Sequence, residues 1–258
     1  MLLLEEFDNS KKAIINPDDL HERIVEMPEI AIACFSHKLF DKIVEGGKCI
    51  KIGELHNTGE YKDIYEIEYN GSKFALFKIG VGAPMAAGDI EDMHAMGANK
   101  FIIFGNCGVL DETIEDCGII IPNKALRDEG TSFHYMPPSR EVPLNKKYTS
   151  EFKEVLDEFG FDYVEGATWT TDAFYRETRD KVNKRKAEGA ITVEMEASAL
   201  QAVCDFRECE LFIFFYAGDN LAGEKWDKRS LSGDIKLDEK SRIAYLALEL
   251  GSKITETK

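Results

Sequence analysis

The sequence lacks long hydrophobic runs and is poor in basic residues. No apolar run reaches the roughly 18 residues that cross a bilayer, and the N-terminal MLLLEEFDNSKK has no basic segment or long apolar core typical of a signal peptide. The chain carries 48 acidic against 32 basic side chains, a net charge of −16, which repels nucleic-acid phosphates and anionic membranes. We therefore expect a cytoplasmic protein with neither nucleic-acid nor membrane partners.

Signatures of metal binding and covalent catalysis are also missing. The six cysteines form no CxxC pair, the five histidines show no metal-ligand spacing, and no GxSxG occurs. Most cysteines lie in apolar stretches, so we expect reduced, mainly buried thiols. The sequence predicts no metal, no cofactor and no covalent nucleophile.

Strand-length apolar runs alternate with stretches of helical periodicity. Strands are predicted at 29–35, 73–80, 100–105, 118–122, 162–168, 189–193 and 210–218, and helices near 36–46, 84–97, 149–159, 173–188, 194–208 and 236–256. This order predicts a single α/β domain with a mixed, mostly parallel central sheet flanked by helices. Asn70-Gly71 between two strand-like runs predicts a hairpin, and hence an antiparallel part of the sheet.

One long stretch, 127–148, is predicted to be irregular. Pro137, Pro138 and Pro143 prevent a continuous helix, and Gly130 interrupts any strand. A long loop in a compact domain is often functional. A lid, a subunit contact and a plain solvent-facing excursion all remain open.

Two glutamates flank Met195 in GAITVEMEASAL, where a strand is predicted to become a helix. On a helix that starts at Glu194, this residue shares a polar face with Gln201 and Asp205, as an ordinary first-turn acid. Glu196 falls at the edge of the apolar face. A carboxylate there needs polar partners, and sugar hydroxyls are suitable ones.

The last strand ends in Gly218-Asp219-Asn220. Ligands of open α/β sheets bind beyond the carboxyl ends of strands, which favours Asp219 as a general acid whose pKa is raised by burial. A turn or helix-capping aspartate is the alternative.

Two glycine-rich turns, 80–84 and 104–108, follow predicted strands and can present N–H groups to an anion. Either turn is equally explained as a tight connection, and neither is a P-loop, because the lysine and hydroxyl are missing. In WTTDAFYRETRDK, Thr171 or Asp172 is a candidate helix cap. Phe174 and Tyr175 fit either the core or a surface on which a base stacks.

Six segments together resemble the nucleoside phosphorylase family, which includes uridine phosphorylase, bacterial-type purine nucleoside phosphorylase and methylthioadenosine nucleosidase. In chain order they are GVGAP, FGNCGVL, ALRDEGTSFHYMPP, TTDAFY, VEMEASAL and GDN. The resemblance runs from about Ile30 to the C-terminus, which leaves 1–28 as an N-terminal extension of a domain spanning 1–258. It implies a phosphorylase-type, barrel-like sheet and a homo-oligomer, as a dimer, trimer or hexamer.

The resemblance also implies roles for the site residues. Glu196 is expected to hold the ribose hydroxyls together with Met195 and Glu194, and Asp219 to protonate the leaving base. The base pocket is expected to contain Phe174, Thr171 and Asn220, and the anion site Gly82, Gly105, Asn106 and Arg176. The implied reaction is cleavage of the N-glycosidic bond of a nucleoside, purine-leaning because of Asp219, with inorganic phosphate as co-substrate, to give a free base and ribose 1-phosphate.

The anion site departs from the family pattern. Arginines common in phosphorylases are absent from CFSHKLFDK, LHNTGEY and FIIFGNCG, and the uracil-reading Gln-x-Arg is missing after Tyr175. Without arginines, phosphate binding should be weak. Three explanations stay open: Lys38, Arg127, Arg176 or a neighbouring subunit supplies the charge; the enzyme is a nucleosidase that uses water, with Ser36 or His37 nearest to the missing catalytic glutamate; or the protein binds nucleosides without cleaving them.

Overall fold

The computed structural model describes residues 2–56, 61–232 and 234–256, which form ten strands and six α-helices. The strands are β1 (Ile30–Cys34), β2 (Cys49–His56), β3 (Tyr61–Tyr69), β4 (Ser72–Lys78), β5 (Lys100–Val109), β6 (Ile119–Asp128), β7 (Glu141–Pro143), β8 (Tyr163–Thr171), β9 (Ala190–Glu194) and β10 (Glu210–Asn220). The helices are α1 (His37–Gly46), α2 (Ala83–Met96), α3 (Thr149–Phe159), α4 (Arg179–Ala187), α5 (Ala197–Arg207) and α6 (Leu237–Glu256).

The sheet closes on itself. Its strand order is β10-β6-β8-β9-β5-β1-β4-β3-β2, and β10 also pairs with β5, so β5, β6, β8, β9 and β10 form a ring. From β5 the sheet continues outward as β1, β4, β3 and β2. Parallel pairs such as β1–β5 and β6–β8 occur beside antiparallel pairs such as β5–β9 and β10–β6. The predicted single α/β domain with a mixed, barrel-like sheet is confirmed.

The predicted hairpin is also present. β3 and β4 pair antiparallel, and Asn70 and Gly71 at the turn have φ values of 48° and 76°. A two-residue hairpin turn with both central φ values positive is the type that Asn-Gly favours. β2, which pairs with β3, and β7, which pairs with β6, were not predicted as strands.

The core lies on both faces of the sheet. Along β5, Phe101 and Ile103 pack on one face, while Ile102 and Phe104 pack on the other. This alternation follows from the two-residue period of a strand. Helices α2 and α5 pack against each other, and α6 packs against α1 and α3. All six cysteines are free thiols, five of them buried.

The stretch 127–148 is more ordered than predicted. It contains the end of β6, a short 3-10 helix at Thr131–His134 and β7. Arg127 is buried and fastens the stretch, because its guanidinium donates to Ser132 Oγ at 2.9 Å and to Ser139 Oγ at 2.6 Å. The Arg127 guanidinium therefore makes its hydrogen bonds within this stretch.

Residues 2–28 contain two short 3-10 helices and pack on the domain. The Ile24 N–H donates to the Met96 carbonyl at 2.9 Å, and Arg207 donates to the Lys11 carbonyl at 3.0 Å. Within the described parts of the chain, no helix has the length and apolar character to cross a membrane.

Candidate functional site

The two glutamates lie at the junction between β9 and α5, and α5 starts about one turn later than predicted. Helix α5 starts at Ala197, so Glu194 is the last strand residue and Glu196 is the N-cap. The predicted helix over 194–208 is wrong in its first turn. The predicted polar face is also wrong, because Glu194 and Gln201 are both buried.

Glu194 is surrounded by hydrogen-bond donors. Its carboxylate accepts from the hydroxyl of Thr170 at 2.6 Å and of Thr168 at 3.3 Å, and from the N–H groups of Glu196 at 2.7 Å and Ala197 at 2.6 Å. Burial raises the pKa of this carboxyl, and the four donors oppose the rise. Glu194 therefore holds the backbone of the junction and the start of α5 in place.

Glu196 is buried with fewer partners. Its Oε1 accepts from the Gly82 N–H at 2.6 Å, and its Oε2 accepts from the Met195 N–H at 3.3 Å. Burial, and next the charge of Glu194, raise the pKa of Glu196 to about 8. Of the two carboxyl groups, Glu196 is the one with unused hydrogen-bonding capacity for a ligand.

The glycine-rich turn that contacts Glu196 is fixed by a buried ion pair. Asp89 on α2 accepts from the Gly80 N–H at 2.7 Å, and the ammonium of Lys62 on β3 donates to Asp89 Oδ1 at 2.5 Å. Gly82 has φ of 93°, a conformation that favours glycine. The Gly82 N–H, predicted to face an anion, is used by Glu196 instead.

Asp219 lies at a bulge near the end of β10. Its Oδ2 accepts from the indole N–H of Trp226 at 2.6 Å. Burial raises its pKa, and the indole and Arg229 oppose the rise. The described residues after β10, 221–232, contain no helix, so the helix-capping alternative is wrong.

Two neighbours connect Asp219 to the rest of the site. Burial raises the pKa of the Cys107 thiol on β5, and the charges of Glu194 and Asp219 raise it further. Burial, and next the charge of Asp219, raise the pKa of Glu177 to about 7. Gly108 on β5 pairs both with Asp219 on β10 and with Val193 on β9, next to Glu194, so Glu194, Glu196 and Asp219 lie at the same end of the sheet.

The predicted base-binding residues lie at the end of β8 (Thr171), at the end of β10 (Asn220) and on the 3-10 turn after β8 (Phe174). The helix predicted at 173–188 is broken into a 3-10 turn, Phe174–Arg176, and α4, which Thr178 caps. Phe174 and Tyr175 are 51% and 88% exposed, so the core interpretation is wrong, and their ring centroids are 4.1 Å apart. Thr171 is buried, and its hydroxyl accepts from the Ala173 N–H at 3.3 Å.

The other polar side chains predicted near the base accept hydrogen bonds from backbone N–H groups of the chain. The Asn220 side chain accepts from the Ala222 N–H at 2.8 Å. The proposed cap Asp172 instead accepts from the Gly130 N–H at 2.9 Å. Phe174, Thr171 and Asn220 stay predictions as base-binding residues.

The predicted anion side is apolar and poor in available cations. The turn predicted at 104–108 is wrong, because these residues are part of β5 and pair with β10. A Cβ on Gly105 would lie 2.7 Å from Cδ2 of Phe35, so this ring packs directly on the strand. Asn106 is exposed beside Gly218. Lys38 forms an ion pair with Asp234, whereas Arg176 is exposed on its 3-10 turn.

The two candidates for a nucleosidase base also have other partners. The Ser36 hydroxyl caps α1 by accepting from the Leu39 N–H at 3.3 Å. His37 is exposed, and its Nδ1 lies 2.9 Å from Nζ of Lys78. Residues 57–60 of LHNTGEY lie outside the described residues.

Sequence reasoning missed several contributors to the site. Thr168 and Thr170 alternate along β8 and point their hydroxyls at Glu194, a pattern visible as T-W-T in the sequence. Trp226 gave a weaker signal, as a lone aromatic residue in a polar segment after Asp219. Glu177 had no signal beyond its charge.

Comparison with known proteins identifies the family. The sequence profile of the phosphorylase superfamily matches residues 29–250. A guanosine phosphorylase from Halorubrum lacusprofundi is 29% identical over 146 residues, which cover 56% of this chain and 59% of that protein. A 5'-methylthioadenosine/S-adenosylhomocysteine nucleosidase from Buchnera aphidicola is 30% identical over 152 residues, which cover 55% of this chain and 65% of that protein. The chain thus spans less than two thirds of the length of these curated relatives.

A solved structure extends the comparison to the fold. The crystal structure of uridine phosphorylase from Vibrio fischeri ES114 has a TM-score of 0.73 and 21% identity, and the match covers 89% of this chain and 94% of that chain. The closed mixed sheet with flanking helices is therefore a phosphorylase fold. Since the family profile covers most of the sequence, this protein belongs to the phosphorylase superfamily.

Proposed function

We propose that this protein cleaves the N-glycosidic bond of a purine nucleoside and transfers the ribosyl group to inorganic phosphate. The products are the free base and ribose 1-phosphate. One observation carries the proposal: two buried carboxyl groups with raised pKa, Glu196 and Asp219, lie at one edge of the sheet among different neighbours. Carboxyl groups placed in different environments take different roles.

Glu196 is the ribose-binding group. Among the residues that the structure describes, its hydrogen-bond partners are backbone N–H groups only, so each carboxyl oxygen keeps a free lone pair. The 2′ and 3′ hydroxyls of ribose are donors of matching geometry, and Met195 packs beside them. Binding of these hydroxyls favours the ionised form and offsets part of the cost of burying this carboxylate.

Asp219 is the general acid. As the bond between the anomeric carbon and the base nitrogen breaks, its electron pair moves onto the base. A proton from Asp219 neutralises that charge, and such a positioned acid accelerates the step by roughly 10²–10⁴-fold. The raised pKa of Asp219 is what this role requires. A purine gives the acid a ring nitrogen, N7, as its acceptor, which supports the purine preference.

Phosphate is the acceptor in this proposal, and one of its oxygens bonds to the anomeric carbon as the base leaves. The names of the phosphorylase relatives support this choice. On this chain, the Asn106 amide and the exposed Arg176 are the groups proposed to contact phosphate.

Hydrolysis is the second candidate, favoured by a specific observation. The Phe35 ring covers β5 at Gly105, while Lys38 is ion-paired with Asp234 and Arg127 is hydrogen-bonded within its loop. An apolar wall disfavours a dianion far more than it disfavours a water molecule. A relative named as a nucleosidase is consistent with this reaction.

The test is base release from inosine, guanosine, adenosine, uridine and methylthioadenosine, with and without phosphate, followed by chromatography of base and sugar. We expect release from purine nucleosides that depends on phosphate and yields ribose 1-phosphate. Equal release without phosphate, with free ribose as product, would establish the hydrolase. No release from any nucleoside would contradict both.

A further inference from the structure

Trp226 combines two properties that are unusual together. Its indole N–H donates to the buried Asp219 carboxyl at 2.6 Å, yet the side chain is 60% exposed. An exposed indole contributes little to the hydrophobic core. Its clearest contact is therefore polar, and it is made to the proposed acid.

The position of Trp226 is set by the backbone. Asn220 and Asp227 exchange two backbone hydrogen bonds, of 2.8 and 3.0 Å, across the segment that carries Trp226. Arg179 binds the same segment, because its guanidinium donates to the Leu221 carbonyl at 2.9 Å and to the Gly223 carbonyl at 2.5 Å. These bonds hold the indole over Asp219 without burying it.

The second oxygen of Asp219 lies next to β5, where a glycine leaves room for it. A Cβ on Gly108 of β5 would lie 3.2 Å from Asp219 Oδ1, tighter than most carbon–oxygen contacts. Gly108 thus leaves just enough room for this oxygen. The hydrogen bond from Trp226 is therefore the contact that fixes the orientation of the carboxyl group.

Building on the proposed function, we propose that Trp226 is a positioning residue that orients the Asp219 carboxyl group toward the leaving base. No other side chain described within hydrogen-bond distance of Asp219 donates to it. Loss of the indole N–H therefore leaves the carboxyl free to rotate and without its donor. The exposed ring also lies beside the place where a base meets Asp219, so a bound base alters its surroundings.

The titratable and charged groups that face Asp219 come from three segments. Glu177 approaches from the segment before α4, Cys107 from β5, and Asp227 and Arg229 from the segment after β10. Burial raises the pKa of Asp219, and the indole lowers it. Trp226→Phe therefore raises this pKa further, which makes the group a weaker acid that holds its proton to higher pH.

The first experiment needs no substrate. The emission of Trp226 is isolated by subtracting the spectrum of Trp226→Phe, because Trp169, the second tryptophan, is fully buried on β8 and present in both proteins. We expect this difference emission to change with pH in the wild type. With Asp219→Asn as the background of the same subtraction, we expect it not to change with pH. A difference emission that titrates identically in both would overturn the contact.

The second experiment measures base release as a function of pH. In Trp226→Phe we expect turnover to fall by roughly 2–10-fold, the effect of one hydrogen bond, with a smaller change in KM and a basic limb that moves to higher pH. Phe159→Leu, at an exposed aromatic residue that ends α3, is the control. If Trp226→Phe keeps the turnover of the wild type and the basic limb of its pH profile does not move, the inference is overturned. Positive fluorescence without any base release would instead overturn only the proposed function.

Discussion

The proposed sugar side, around Glu194 and Glu196, and the proposed acceptor side, around Gly105, are built in opposite ways. Around Glu194 and Glu196, buried carboxyl groups meet donors from β8, from the start of α5 and from the Gly82 turn. On the proposed acceptor side, an aromatic ring packs on β5 at Gly105 and the nearby polar groups are exposed. One side is part of the core, and the other is part of the surface.

This difference shows which parts of the site the fold itself maintains. Removing Glu194 would leave several buried donors without an acceptor, at about 1–3 kcal/mol for each unsatisfied group. Replacing Lys38 would break only an exposed ion pair, which is worth about 0–1 kcal/mol. The sugar side is thus constrained by stability, whereas the acceptor side is free to change its chemistry within the same fold.

The largest expected effect is at the acid. We expect Asp219→Asn to lower turnover by roughly 10²–10⁴-fold, because an amide cannot deliver the proton, with a small change in KM. Initial rates of base release measure it. Asp157→Asn is the matched control, since Asp157 is an exposed residue of α3. Unchanged turnover in Asp219→Asn would remove the acid role.

A smaller effect is expected at the sugar. Hydrogen bonds to charged groups contribute about 1.5–3 kcal/mol, so Glu196→Gln should weaken nucleoside affinity by roughly 10–100-fold. The measurement specific to a ribose contact is the preference for a nucleoside over its 2′-deoxy analogue. Wild-type protein should discriminate against a 2′-deoxynucleoside, and the variant should discriminate much less. Equal discrimination by both proteins would contradict the ribose contact.

The smallest effect is expected on the acceptor side. Because Lys38 is paired with Asp234 at the surface, Lys38→Met should change the apparent phosphate affinity by less than about 5-fold. The measurement is the phosphate dependence of base release, compared with Arg176→Met. A large loss in Lys38→Met alone would mean that the acceptor side is as tightly built as the sugar side.

Much of this architecture could be predicted from the sequence. The apolar periods located seven strands, and Asn70-Gly71 placed the hairpin. The start of α5 was predicted about one turn too early. Glu194 stays in β9 because its carboxylate accepts from the hydroxyls of Thr168 and Thr170 on the neighbouring strand β8. Helical periodicity within one segment contains no information about such a neighbour.

The two carboxyl groups were chosen from their positions, but their surroundings were not predictable. The contact of Trp226 with Asp219 depends on a turn closed by Asn220 and Asp227. The packing of the Phe35 ring against Gly105 depends on the pairing of β1 with β5. Both are consequences of tertiary packing.

The most direct test of the sugar-side account is proton release on nucleoside binding. Near neutral pH the free Glu196 carboxyl, with its pKa of about 8, is mostly protonated. Ribose hydroxyls favour the ionised form, so binding lowers this pKa and expels a proton. Calorimetry in buffers of different ionisation enthalpy counts that proton, with Asp219→Asn as background to prevent turnover. We predict proton release that disappears when Glu196→Gln is added; release that persists in the double variant, or none in either protein, would contradict the account.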